Sequence, residues 1–177
     1  MKNTITSLVF ITLSSFMFMG GCLSKITTVN MDYPTEGVIQ TSALSATGTQ
    51  TFGETVLTSG LKAELEKNNT SLDLLDELKL KSATVSIQND STQNFDNVDK
   101  IELWIAADGQ PEVLIASKNP VMDGLNSIVL DVNSSENLAN YIKANTFTYR
   151  IKGTNSGPLP AMSLKANVVW GIKASAK

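Results

Sequence analysis

The chain has 177 residues, with 14 Lys and Arg against 17 Asp and Glu, no His and one Cys. This length suits a single domain, and 42% hydrophobic with 18% charged residues is typical of a folded globular protein. The lack of His excludes catalytic triads that use this residue and His-ligated metal sites, and one Cys excludes an intrachain disulfide or a Cys-rich metal site. A formal net charge of −3 offers no basic surface for nucleic acid, so we expect no such partner.

The N-terminal segment has the three parts of a secretory signal. Lys2 supplies a positive start, an apolar run extends over residues 5–19, and Gly20 and Gly21 end it. The run is too short, and too interrupted by Thr and Ser, to predict a membrane-spanning helix. We therefore expect residues 1–21 to be a signal peptide.

The end of this segment, Met19-Gly20-Gly21-Cys22, resembles the lipobox of bacterial lipoproteins, in which small residues precede an obligatory Cys. The resemblance implies cleavage after Gly21 and lipidation of Cys22, and hence a partner in the membrane. It also implies a bacterial cell envelope, and Leu23 after the Cys favours the outer membrane by analogy with lipoprotein sorting. The alternative is an incidental thiol after an ordinary signal peptide, but the only Cys stands where lipidation needs it.

The chain after the signal begins with a polar stretch. Residues 22–36 contain Pro34 and show no sustained period, which predicts the lipidated Cys followed by a tether. The folded domain is then expected over residues 37–177. Its layout resembles that of small single-domain envelope lipoproteins of Bacteroidota.

The first part of the predicted domain mixes strand and helix signals. Residues 38–41 and 50–57 combine Thr, Val and other strand formers, with a turn expected at 45–48. Leu residues at three- and four-residue steps then predict two helices, over residues 60–67 and 71–79.

From residue 81 the hydrophobic period changes to two, which indicates strands with one buried face. The alternating runs are Ala83–Ile87, Ile101–Ala106, Val113–Ile115, Ile128–Val132, Phe147–Lys152 and Met162–Ala174. A helical turn or two is expected at residues 136–143. These elements predict a mainly β fold, an antiparallel β-sandwich of Ig-like or Greek-key type with one or two short helices. A small barrel is the alternative.

Catalytic motifs are absent from the sequence, since there is no nucleophile elbow, phosphate-binding loop or dinucleotide fingerprint. A glycosidase-like pair of carboxylates is conceivable, and its candidate members are Glu102, Asp108, Glu112, Asp123 and Asp131. Nothing in their spacing selects two of them. We therefore expect a non-catalytic protein with no cofactor.

The loop over residues 89–99 is rich in Asp, Asn and Gln, whose oxygens suit Ca²⁺. It lacks the regular ligand spacing of a calcium loop, so a solvated connection between strands is the favoured interpretation and no metal site is predicted.

Trp104 is the candidate binding residue of the domain. It alternates onto the face opposite Ile101, Leu103 and Ile105, whereas Trp170, Phe147 and Tyr149 fall on apolar faces and are expected in the core. An outward Trp suits stacking on a sugar or anchoring a protein contact. The alternative is that Trp104 packs beneath a helix from residues 60–79.

Together these features predict a membrane-anchored envelope lipoprotein that acts as a non-catalytic binding or structural module. Its expected partner, besides the membrane, is an envelope protein or a glycan. The alternative function is a carrier that holds an apolar ligand between the sheets.

Overall fold

The computed structural model describes residues 27–88, 90, 92–133 and 136–176. These residues form eight strands: β1 (Thr28–Gln40), β2 (Gly48–Thr58), β3 (Leu75–Ile87), β4 (Val98–Ala107), β5 (Gln110–Lys118), β6 (Ser127–Val132), β7 (Thr146–Asn155) and β8 (Ser163–Ser175). The connections hold two short helices and one 3₁₀ turn: α1 (Leu61–Lys67), Leu72–Leu74 and α2 (Ala139–Lys143).

All pairings are antiparallel, and the strand order is β1-β8-β3-β6-β5-β4-β7-β2. The sheet curls into a half-barrel, which brings the edge strands β1 and β2 against each other. Gly53 lies at this seam, where an added Cβ would be 2.7 Å from Ile39 Cγ2 and 2.8 Å from the backbone oxygen of Gln40. The predicted mainly β, antiparallel fold with short helices is therefore confirmed at the level of one curled sheet.

The inside of the curl is filled with large side chains. Trp170, Tyr149 and Phe147, expected in the core, are all at most 2% exposed. On β8 every second residue from Leu164 to Ala174 is buried, which matches the predicted period of two. Hydrophobic burial on this scale is the main favourable contribution to folding.

One polar group inside this core, the hydroxyl of Tyr149, is hydrogen-bonded to the edge strand β1. Tyr149 shares a 2.6 Å hydrogen bond with Thr35 Oγ1, to which Trp170 Nε1 also donates over 3.0 Å. Burial raises the pKa of Tyr149 above its ordinary value, despite these hydrogen bonds, so the phenol is neutral at physiological pH. The cluster ties β1 to β7 and β8.

The predicted tether over residues 22–36 is wrong from Thr28 onward, because β1 begins there and pairs with β8 along its whole length. The outer positions of β1 are exposed, and its inner positions include Thr35 and Gly37 besides Tyr33 and Ile39. Because Thr and Gly are not large apolar residues, the alternation of β1 is weak in the sequence. Pro34 is tolerated because an edge strand leaves one side of its backbone unpaired. Residues 22–26 lie outside the described part of the chain.

The predicted helix over 60–67 is confirmed by α1, but the one over 71–79 is wrong. Only Leu72–Leu74 forms a 3₁₀ turn, and β3 starts at Leu75. A bulge between Leu75 and Glu77 inserts one extra residue, so Leu75 and Leu78 are both buried although three residues apart. That spacing imitates the period of a helix. The helical turn expected at 136–143 is present as α2.

Candidate functional site

Trp104 lies on the outer face of the sheet, as predicted from its alternation with buried Leu103 and Ile105. Its indole Nε1 donates a 3.1 Å hydrogen bond to Glu102 Oε2 on the same strand. Lys152 Nζ, from β7, lies 4.2 Å from the centroid of the Trp104 ring. The contacts of Trp104 thus come from its own strand and from β7, and a cation covers part of its ring.

Charged side chains surround this tryptophan and pair with one another. Arg150 binds Glu54 with 2.6 Å between Nη2 and Oε2, and it also binds Glu112. Lys152 binds the second oxygen of Glu112. We call Trp104 with these residues and Glu102 the Trp104 face. Its two cations lie on β7, and its carboxylates lie on β2, β4 and β5 on either side of that strand.

This pairing shifts the acid–base properties of the face. Partial burial pushes the pKa of Glu102 up, but hydrogen bonds from Lys100 and Trp104 and the charges of Lys100 and Lys152 outweigh it, so the pKa lies below its ordinary value. The hydrogen bond with Glu54 is the main reason that the pKa of Arg150 is raised, and Glu112 adds to it. Glu102 and Arg150 therefore stay charged over the physiological pH range.

The five candidate carboxylates are distributed over several parts of the fold. Glu102 and Glu112 share the Trp104 face, but each is bound to cations. Asp131 pairs with Lys118, over 3.2 Å, on another part of the sheet. Asp108 and Asp123 lie in turns.

Hydrogen bonds organise the described residues of the acidic loop at 89–99, both within the loop and from a neighbouring connection. Asp90 accepts bonds from the hydroxyl and backbone N–H of Thr92, and the hydroxyl is the main reason that the pKa of Asp90 is lowered. Asp96 Oδ1 accepts a bond from the backbone N–H of Gly124. Within the described residues, no group of three or more His, Cys, Asp or Glu side chains is placed to hold a metal ion.

The structure also brings together a surface of which the sequence predicted only one part, the loop over residues 89–99. Four connections lie at the end of the half-barrel opposite Thr28, and we call their described residues the distal loops: 41–47, 88, 90, 92–97, 119–126 and 156–162. They contain no Lys or Arg and three Asp residues. Two large apolar side chains are exposed there, Met122 at 70% and Leu125 at 38%.

Hydrogen bonds lock the distal loops to one another. Leu44 and Leu159 exchange two backbone bonds of 2.8 and 2.9 Å. Asn97 accepts from the backbone N–H of Ser156 over 3.1 Å and donates from Nδ2 to the carbonyl of Pro158 over 3.0 Å. The loops therefore form one ordered surface, and no local motif announces it because the bonded residues are far apart in sequence.

The predicted lipidation residue, Cys22, lies outside the described residues, as does the signal peptide over residues 1–21. None of the helices in the described ranges is long and apolar enough to cross a bilayer.

Comparisons with known proteins give little. No family model matches the sequence, and no curated protein does. A structure of the empty head of turnip yellow mosaic virus covers 99% of this chain and 92% of that chain at 9% identity, with a TM-score of 0.30. A structure of the virus itself covers 86% and 96% at 10% identity, with a TM-score of 0.29. These low scores carry no argument about function.

Proposed function

We propose that the protein is a lipid-anchored lipoprotein of the bacterial envelope, in the outer membrane, that acts as a non-catalytic binding module. The observation that carries this proposal is the position of the chain's entry relative to the distal loops. The described fold begins at Thr28, six residues after Cys22, a span of at most about 20 Å in an extended chain. A lipid on Cys22 would hold this end near the bilayer and present the distal loops away from it.

The distal loops support a binding role. Binding residues are often carried on loops that a rigid scaffold positions. Here the loops are bonded to one another before any partner arrives, which lowers the ordering cost of association. Exposed Met122 and Leu125 would provide apolar contact area, within a rim of amide and hydroxyl groups.

The Trp104 face is the second contact surface of this proposal, for a glycan or an envelope protein. Its support is a partly exposed tryptophan among fixed donors and acceptors. The neighbouring Lys152 leaves less of the ring open for stacking, so we rank this face below the distal loops.

The finer fold prediction stays part of the proposal. The β5–β6 junction has only two residue pairs, Ala116 with Val132 and Ser117 with Asp131. This weak link supports describing the half-barrel as two four-stranded layers of a sandwich. The interior filled by Trp170, Tyr149 and Phe147 supports a solid module over a carrier of an apolar ligand between such layers.

The anchor is tested by Cys22→Ser in the full chain expressed in a diderm bacterium fed radiolabelled palmitate. The unchanged protein should incorporate label and enter the detergent phase of a Triton X-114 partition. Cys22→Ser should lose the label, while Ser24→Ala, two residues away, should keep it. Label retained by Cys22→Ser would contradict the anchor.

The binding role is tested by photo-cross-linking in cells. A photoreactive residue replaces Met122 in one strain and Val129 in another, since both side chains are about equally exposed, at 70% and 68%. Val129 lies on β6, outside the distal loops, four residues after Leu125. We expect a discrete adduct, identified by mass spectrometry, from position 122 and none from position 129. Equal adducts from both positions would contradict a binding role for the distal loops.

A further inference from the structure

A groove of about 680 Å³ lies on the outer face of β1, β8 and β3. Its floor is Gly171, the outward-facing residue of β8 that carries no side chain. Six polar side chains surround this floor, two from β1, one from β8 and three from β3: Asn30, Asp32, Lys173, Glu77, Lys79 and Lys81. We call this the Gly171 groove. Its volume is in the range of small-ligand sites.

The charges of the Gly171 groove are unevenly matched. Lys79 pairs with Glu77 over 2.9 Å, and Lys81 pairs with Asp32. Lys173 is exposed and, among the described residues, has no carboxylate partner. The lining therefore has three cations against two carboxylates, and its surplus positive charge is on Lys173.

The Gly171 groove lies near the N-terminal end of β1. Thr28, the first residue of β1, pairs with Ser175, two residues beyond Lys173. The groove thus lies beside the point where the chain enters the fold, whereas the distal loops at the other end contain no Lys or Arg. With the proposed anchor on Cys22, lipid headgroups lie within reach of Lys173.

We infer that the Gly171 groove binds a phosphate group, and that its source is the headgroup of a membrane phospholipid. A Lys ammonium is a compact charge with three N–H donors, which suits phosphate oxygens. Lys173 supplies the unmatched charge and Asn30 adds an amide donor, while the flexible Lys81 side chain lies over Gly171 at the floor. Asp32 and Glu77 oppose anion binding, so the affinity is expected in the millimolar range.

The test uses the mature lipidated protein, labelled with ¹⁵N and kept in a non-ionic detergent. Dihexanoyl phosphatidylglycerol and, separately, inorganic phosphate are titrated while the amide resonances of Gly171 and Lys173 are followed. We expect both probes to shift these resonances, with phosphate competing against the lipid. Lys173→Gln should weaken binding at least fivefold, and Lys173→Arg should restore most of it.

The matched control is Lys143→Gln on α2, which removes another lysine without a carboxylate partner in the described residues. It should leave both titrations unchanged. Shifts by phosphate alone would overturn the lipid source while supporting a phosphate site. No shift with either probe, or equal binding by Lys173→Gln, would overturn the inference.

The hypothesis that a membrane phospholipid supplies the phosphate rests on the proposed anchor at Cys22. The anchor and the phosphate site are nevertheless tested by different experiments. Loss of the anchor appears in palmitate labelling of Cys22→Ser, which does not involve the groove. Loss of the phosphate site appears only in the titrations of a protein already shown to carry lipid.

Discussion

The two outer faces of the curled sheet differ at one central position each. On β4 that position is Trp104, whose ring packs against Lys152 and whose N–H binds Glu102. On β8 it is Gly171, and the surrounding charged side chains enclose a groove instead. Each face carries five charged side chains, two cations and three carboxylates around Trp104 and three cations and two carboxylates around Gly171.

The comparison teaches that the size of one side chain decides how the surrounding charges are used. Around Trp104 the described cations Arg150 and Lys152 are committed to carboxylates. Around Gly171 the Lys81 side chain lies over the floor and pairs with Asp32, and Lys173 has no carboxylate partner among the described residues. The Trp104 face thus has Arg150 and Lys152 in ion pairs, whereas the Gly171 groove keeps Lys173 without a carboxylate partner in the described residues.

The largest effect is expected from adding a methyl group at Gly153, with the same change at Gly171 as the matched comparison. At Gly153 an added Cβ would meet the carbonyl oxygen of Lys100 and lie 2.7 Å from the Phe52 ring, so packed groups must move. Gly153→Ala should lower the free energy of unfolding by about 1–3 kcal/mol. At Gly171 the nearest atoms belong to the flexible Lys81 side chain, at 3.2 Å. Gly171→Ala should change stability by no more than about 0.5 kcal/mol, measured by urea denaturation.

Equal losses in Gly153→Ala and Gly171→Ala would show that the groove floor is as tightly packed as the interior. The comparison between a filled and an open face would then fail.

A smaller effect is expected from emptying the filled face. Trp104→Ala removes the ring under Lys152 and the hydrogen bond to Glu102, and should lower the free energy of unfolding by about 1–2 kcal/mol. Trp104→Phe keeps an aromatic ring and should lose less than half as much. Urea denaturation followed by circular dichroism measures both. Unchanged stability in Trp104→Ala would mean that the charges of this face hold without the ring.

The smallest effect concerns pH. Because the pKa of Glu102 lies below its ordinary value of 4.5, its ionised form stabilises the fold above that pH, and this stabilisation disappears as pH falls through the folded-state pKa. Glu102→Gln should therefore cost up to about 1 kcal/mol at pH 7 and progressively less below pH 4.5. Unfolding free energies measured between pH 3 and pH 7 test this.

The control for the pH experiment is Glu66→Gln, which changes an exposed carboxylate on α1 that has no ion pair in the described residues. It should leave stability at pH 7 within about 0.5 kcal/mol of the unchanged protein. A constant cost of Glu102→Gln at every pH would indicate lost packing instead of lost charge.

The strands were predictable wherever one face is buried and the other is polar. β7 and β8 follow their alternating runs closely, because a period of two is what such a strand requires. The start of β1 and the course of β3 were not predictable in this way. β1 alternates between exposed and only partly buried positions before Tyr33, and the bulge near Leu75 changes the spacing of buried residues.

The candidate site was predictable only in part, for a related reason. The outward direction of Trp104 follows from the period of its own strand. Its partner Lys152 depends on the register between β4 and β7, which pairs Glu102 with Lys152, and the sequence does not state that register. Gly171 is one residue of an alternating run, and nothing in that run predicts the groove. Most of the side chains that line the groove come from β1 and β3, which are distant from Gly171 in the sequence.

The pairing of β1 with β8 joins residues from the two ends of the described chain, and this governs the order in which the fold can be completed. A ribosome delivers β1 first, and no partner for it exists until β8 has been made. The same strand β8 also pairs with β3, so two strands can complete their pairing only after β8 has been synthesised. Such long-range pairing slows folding and keeps strand edges exposed in the meantime. The unfinished chain therefore needs protection from aggregation until its last strand is in place.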